Sequence, residues 1–161
     1  EVPQSVLWLK QPPADTRINL EKEAAARGIA PARLVFADNA PLDVHLARHR
    51  LADLFLDTLP YNAHATAADA LWAGLPVLTC KGNAFAGRVA ASLLGAAGLH
   101  ELVTENLADY ETLALSLARD PARLQKLKGK LTQNLQTAPL FDADRFRPSI
   151  EAAYVRMLDS R

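Results

Sequence analysis

The feature that most constrains this chain is an alternation. Short apolar runs recur along it, each followed by a longer stretch in helical rhythm. The runs are "SVLWL" (Ser5–Leu9), "RLVFA" (Arg33–Ala37), "DLFLD" (Asp53–Asp57), "PVLT" (Pro76–Thr79) and "ELV" (Glu101–Val103). None alternates strictly between apolar and polar, as expected of parallel strands covered on both faces. Between them lie a helical pattern over Arg17–Arg27 that Gly28 ends, then "PLDVHLARHR", an alanine-rich helix after His64, and "FAGRVAASLLGAAG". Strand–helix alternation at this spacing predicts an α/β fold with a doubly wound parallel sheet and right-handed crossovers. Beyond Val103 the pattern is helical only. "NLADYETLALSLARDPARLQKLKGKLTQNL" is split by Pro121, and a last helix is predicted from about Asp144 to Leu158. With no repeat, low-complexity tract or linker, the 161 residues read as a single domain.

Charge and cysteine content remove several function classes. Lys+Arg and Asp+Glu number 18 each, so the formal net charge is zero and no broad electrostatic surface for nucleic acid or anionic membrane is expected. Cys80 is the only cysteine, which rules out an internal disulfide, and the four histidines form no metal motif. No apolar run approaches the roughly 20 residues of a membrane helix, and "EVPQSVLWLK" lacks the features of a signal peptide, so a cytoplasmic protein is expected.

In open α/β sheets, ligands gather at the carboxyl ends of the strands. The segments leaving those ends here are "DNAPLDVHLARHR", "TLPYNAHATAADA" and "CKGNAFAGR", which collect His45, Arg48, His64, Thr66, Asp69, Lys81 and Arg88. His64, Ala65 and Thr66 fall in the first turn of the third predicted helix. Unpaired N–H groups and partial positive charge at a helix start favour an anion. Ala63, Ala65, Ala67 and Ala68 leave the backbone approachable, and Asp69, a little over one turn on, is placed to accept hydrogen bonds from sugar hydroxyls. This is the logic of nucleotide binding without a glycine-rich loop. The same spacing also fits a Thr66 cap, a satisfied loop histidine and a solvated Asp69. His45 and Arg48, at i and i+3, share a helix face that reads equally as an ordinary polar one. Lys81 reads as a loop lysine, Arg88 as a cap or an anion contact, and His100 and Cys80 as structural.

Asp57 and Thr79, at the ends of the third and fourth strands, also suggest a phosphoryl-accepting receiver domain. That chemistry needs an acidic pair after the first strand and a lysine after the fifth. This chain has "KQPP" and "TENLAD" there instead. A non-catalytic α/β interaction module is the further alternative.

Taken together, "SVLWL", "LADLFLDTLPYNAHATAADALWAGLPVLT", "GRVAASLL", "LKGKL" and "PLFDADRF" resemble the C-terminal catalytic half of the O-linked N-acetylglucosamine (O-GlcNAc) transferases, over nearly the whole chain. The Ala-, Leu- and Arg-heavy composition points to a bacterial member. The resemblance implies a GT-B architecture, in which two Rossmann-like lobes close over a UDP-sugar. This chain is then the second, donor-binding lobe, with a helical C-terminal extension that crosses back toward the first. The first lobe with its candidate general base, the tetratricopeptide repeats and a phosphate-contacting lysine would lie outside it. By the same resemblance, the backbone of Ala40 and the side chains of His45 and Arg48 surround the uracil. His64, Ala65 and Thr66 meet the diphosphate, and Asp69 holds the ribose. The implied reaction uses UDP-GlcNAc as donor, releases UDP, needs no cofactor or divalent metal, and transfers N-acetylglucosamine with inversion to Ser or Thr of an acceptor protein. The isolated chain is expected to be inactive. The runner-up is a GT-B enzyme acting on a lipid or small molecule, and outside catalysis a UDP-binding module. Two departures from animal relatives stand out: Ala65 replaces a threonine, and Leu42 replaces a lysine near the base.

Overall fold

The computed structural model describes residues 2–159, which fall into two compact units divided between His45 and Leu46. In the first, β1 (Leu7–Lys10) leads to α1 (Ala14–Ala26) and then to β2 (Leu34–Ala37). The strands pair in parallel from Leu7↔Leu34 to Lys10↔Ala37, so α1 is the crossover that a parallel pair requires. Gly28 (φ 73°) closes α1 as expected: its N–H bonds Ala25 O and that of Ile29 bonds Ala24 O. β1 begins two residues later than the apolar run, because Ser5 is taken up in a turn on Val2 O that Arg33 also bonds. On α1, the Arg17 guanidinium lies 4.9 Å from the centroid of the Phe36 ring.

After β2 comes α2 (Leu42–Arg48), which carries the chain into the second unit. There β3 (Phe55–Leu56), β4 (Val77–Cys80) and β5 (Val103–Thr104) form a parallel sheet in the order β3-β4-β5. All four residues of β4 are buried, as a central strand with no polar face predicts. α3 (Ala65–Trp72) joins β3 to β4, and α4 (Val89–Ala96) joins β4 to β5. The parallel α/β fold is thus the one expected, with the strands in a two-stranded and a three-stranded ladder.

The fifth strand starts where the apolar run was expected to end. His100–Leu102 turns as a 3-10 segment, which sends Leu102 into the core and leaves Val103 and Thr104 to pair with Thr79 and Cys80. α5 (Leu107–Arg119) and α6 (Pro121–Asn134) break where expected, with Pro121 at the first helical position and Asp120 accepting from Arg123 N–H at 2.9 Å. Leu117 from α5 and Leu127 and Leu131 from α6 pack into one cluster with Leu71, Val77 and Leu94. α7 (Ala143–Asp159) spans the predicted last helix. Among the described residues no helix is long and apolar enough to cross a membrane.

Candidate functional site

The site is built on the segment between β3 and α3. Asp57 follows β3 directly and is only 7% exposed. A buried carboxylate must be matched by donors, and here two come from the following loop and one from the next strand. Oδ1 accepts the N–H of Thr58 at 2.8 Å and of Ala63 at 2.7 Å, while Oδ2 accepts the hydroxyl of Thr79 at 2.6 Å. One side chain therefore ties the end of β3, the end of β4 and the last residue but one before α3. Asn62, 1% exposed, braces the segment from within. Its N–H bonds Ala86 O at 2.9 Å and its Nδ2 donates to Thr58 O at 2.8 Å. Its Oδ1 is a buried side-chain atom left without a partner. The Leu59–Pro60 peptide is cis.

This segment delivers His64 to the N-cap of α3. The ring stacks on Tyr61 with centroids 4.9 Å apart and meets the edge of Phe85 at 6.3 Å. Nε2 lies 3.3 Å from Ala86 O. A carbonyl only accepts, so that nitrogen carries the hydrogen and Nδ1 is left for another partner. The side chain of His64 does not cap the helix, and the first bond of the ladder runs from Ala68 N–H to His64 O. The N–H groups of Ala65, Thr66 and Ala67 therefore precede the ladder, at the positive end of the helix dipole. Ala65 and Thr66 are exposed. Asp69, one turn on, is half-buried. The helix packs through Ala67, Ala70 and Leu71, all fully buried, so its start is held on one side and open on the other.

A cleft of about 350 Å³ opens here, lined by Leu56, Thr58, Tyr61, His64 and Thr66 among others. The structure thus gathers His64, Ala65, Thr66 and Asp69 at one helix start, as the sequence predicts. Ala40 lies just ahead of α2, and His45 and Arg48 lie on it. Lys81 pairs with Glu105 at 3.2 Å, and with Arg88, Ser92 and His100 it borders a second cleft of about 940 Å³. Cys80 is buried at the end of β4.

Sequence reasoning considered Asp57 only as a phosphoryl acceptor. Both its oxygens accept from protein donors and the side chain is 7% exposed, an environment that favours a structural role over that chemistry. The available signal was an aspartate closing an apolar run, with a threonine closing the next. Tyr110 completes the arrangement by donating its hydroxyl to Asp57 O at 2.9 Å. Burial, with the charges of Asp57 and Cys80 behind it, pushes the Tyr110 phenol up to about 12.

An open helix start beside a half-buried carboxylate is one observation; comparison with known proteins supplies another. The model of glycosyl transferase family 41 matches residues 1–150. The chain belongs to glycosyl transferase family 41. It is 41% identical over 157 residues to the Arabidopsis thaliana protein named probable UDP-N-acetylglucosamine–peptide N-acetylglucosaminyltransferase SEC, covering 97% of this chain and 16% of that protein. It is 35% identical over 150 residues to the UDP-N-acetylglucosamine–peptide N-acetylglucosaminyltransferase of Caenorhabditis elegans, covering 93% of this chain and 13% of that one. A solved structure of an O-GlcNAc transferase mutant from Thermobaculum terrenum superposes with a TM-score of 0.88 at 37% identity, over 96% of this chain and 30% of that chain. The fold is therefore that of part of the catalytic region of a GT-B O-GlcNAc transferase. This family 41 chain spans only a fraction of the length of each relative.

Proposed function

We propose that this chain is the donor-binding half of an inverting glycosyltransferase that moves N-acetylglucosamine from UDP-GlcNAc to a serine or threonine hydroxyl of a protein. The observation that carries the proposal is the start of α3. An uncapped helix N-terminus carries the Thr66 hydroxyl as a further donor, with the His64 ring beside it and Asp69 a little over one turn beyond His64. The named relatives, which are peptide N-acetylglucosaminyltransferases, support the sugar and the acceptor class.

In the proposed reaction the acceptor oxygen attacks the anomeric carbon from the face opposite the diphosphate, and the bond from that carbon to the phosphate oxygen breaks. Negative charge then builds on the departing UDP. With no divalent metal and no cofactor in the proposal, protein donors must meet that charge, and donors fixed in place beforehand do so most effectively. The N–H groups of Ala65 and Thr66 and the Thr66 hydroxyl are such donors, and the His64 imidazole joins them through Nδ1 in the form that carries hydrogen on both ring nitrogens. Asp69 takes the ribose hydroxyls, and Ala40, His45 and Arg48 take the uracil, as the family resemblance assigns them. The first lobe of the same protein supplies the base and the rest of the cleft. A cytoplasmic setting belongs to the same proposal.

The test is transfer of GlcNAc to a peptide by the complete protein. His64→Ala is expected to lower turnover by about 100-fold, the usual cost of one preorganised donor. Normal turnover by that variant would refute its role.

A further inference from the structure

The geometry points to Asp57 as the positioning residue of the donor site, a buried carboxylate that sets where His64 and the start of α3 stand. This inference rests on the donor-site reading above and adds a residue that touches no ligand in it. Three observations carry it. Asp57 is 7% exposed, and its two oxygens accept three hydrogen bonds from Thr58, Ala63 and Thr79, all between 2.6 and 2.8 Å. Two of those donors, Thr58 and Ala63, bracket the segment that lines the cleft, and the N–H of Ala63 immediately precedes His64. The third donor, Thr79, stands at 0% exposure on the central strand and is itself fixed through its carbonyl by the Thr104 hydroxyl at 3.1 Å. The carboxylate thus fastens a loop to the central, fully buried strand of the unit.

The chemistry explains why an acid occupies this position. Two backbone N–H groups and a hydroxyl converge on one side chain, and a carboxylate accepts from all three without owing a donor of its own. Asparagine has the same shape, and its oxygen still takes the two N–H groups, but its NH₂ faces the Thr79 hydroxyl, so the hydrogen that Thr79 gave the carboxylate loses its acceptor. Alanine leaves all three donors stranded in a buried place, and the loop must move to find water. A functional constellation loosened by even half an ångström or more loses much of its strength.

The experiment uses the complete protein and two readouts. One is UDP affinity by calorimetry. The other is the chemical shift of the His64 ring protons, which its stacking on Tyr61 makes sensitive to loop position. Asp57→Ala is expected to weaken UDP binding by about tenfold or more and to shift the His64 resonances. Thr79→Val, which removes one of the three bonds, should shift them in the same direction by less and keeps the test alive if the alanine variant does not fold. Asp57→Asn, which keeps the bonds from Thr58 and Ala63, should move both readouts less than Asp57→Ala does. Leu131→Ala, a core truncation away from the cleft, should lower the melting temperature and leave both unchanged.

Unmoved His64 resonances in a folded Asp57→Ala or Thr79→Val protein would overturn the inference, as would equal shifts in Leu131→Ala. If the unaltered protein binds no UDP while Asp57→Ala still moves His64, the donor-site reading fails and the positioning role stands.

Discussion

Tyr110 shows how a single residue records the environment of the site. Its hydroxyl is spent on Asp57 O, and burial together with the charges of Asp57 and Cys80 raises its pKa from 10.0 to about 12. The folded state therefore prefers the neutral phenol. The stability this contributes is fully present below about 10 and is lost as pH rises from there toward about 12. Alkaline titration followed by phenolate absorbance should show a group ionising near 12 that disappears in Tyr110→Phe, with the unfolding free energy falling across the same window. Asp57 was less legible in the sequence than Tyr110's helix, because its role depends on Thr79, 22 residues away, and on an N–H that no pattern reveals. The placement of His64, Thr66 and Asp69 was legible, since a helix start is a local signal and their spacing sets all three within its first two turns.

Two glycines separate fold from function among the elements. Gly74 ends α3 at φ 85°, with its N–H on Leu71 O and that of Leu75 on Ala70 O, and open space where a Cβ would go. Gly74→Ala should cost about 1–2 kcal/mol of stability, the left-handed penalty alone, and leave UDP affinity intact. Gly87 is the opposite case. A Cβ there would sit 3.0 Å from Pro60 O and 3.2 Å from Gly82 Cα, two backbone atoms that cannot swing aside. Gly87→Ala should push the loop from Thr58 to Ala63 and weaken UDP binding as well as stability; thermal melts paired with calorimetry on both variants check the contrast. The helices were legible because Gly28 and Pro121 punctuate them. The ends of β3 and β5 were not, because an apolar run fixes what is buried and not which residues pair. "ELV" buries Leu102 through a 3-10 turn and begins its strand only at Val103.

At the scale of the molecule, apolar burial and the polar network are divided along the second unit. Leu71, Val77, Leu94, Leu117 and Leu131 form its apolar cluster, while the carboxyl ends of β3 and β4 carry the polar network of Asp57, Thr79 and Thr104. Strand–helix alternation foretold that division, because a parallel sheet clothed in helices leaves its strand ends as the place for polar chemistry. The separation of the strands into two ladders was not legible, because hydrogen-bond partners across a sheet leave no mark on the composition of a strand. The central claim is that the start of α3 and Asp69 form a UDP site in a family 41 glycosyltransferase. Titration of UDP into the protein without added metal, side by side with Asp69→Ala, tests it most directly. The account predicts saturable binding that the variant weakens by about 10- to 100-fold, the worth of hydrogen bonds to a charged group. Equal affinity in the two proteins would contradict it.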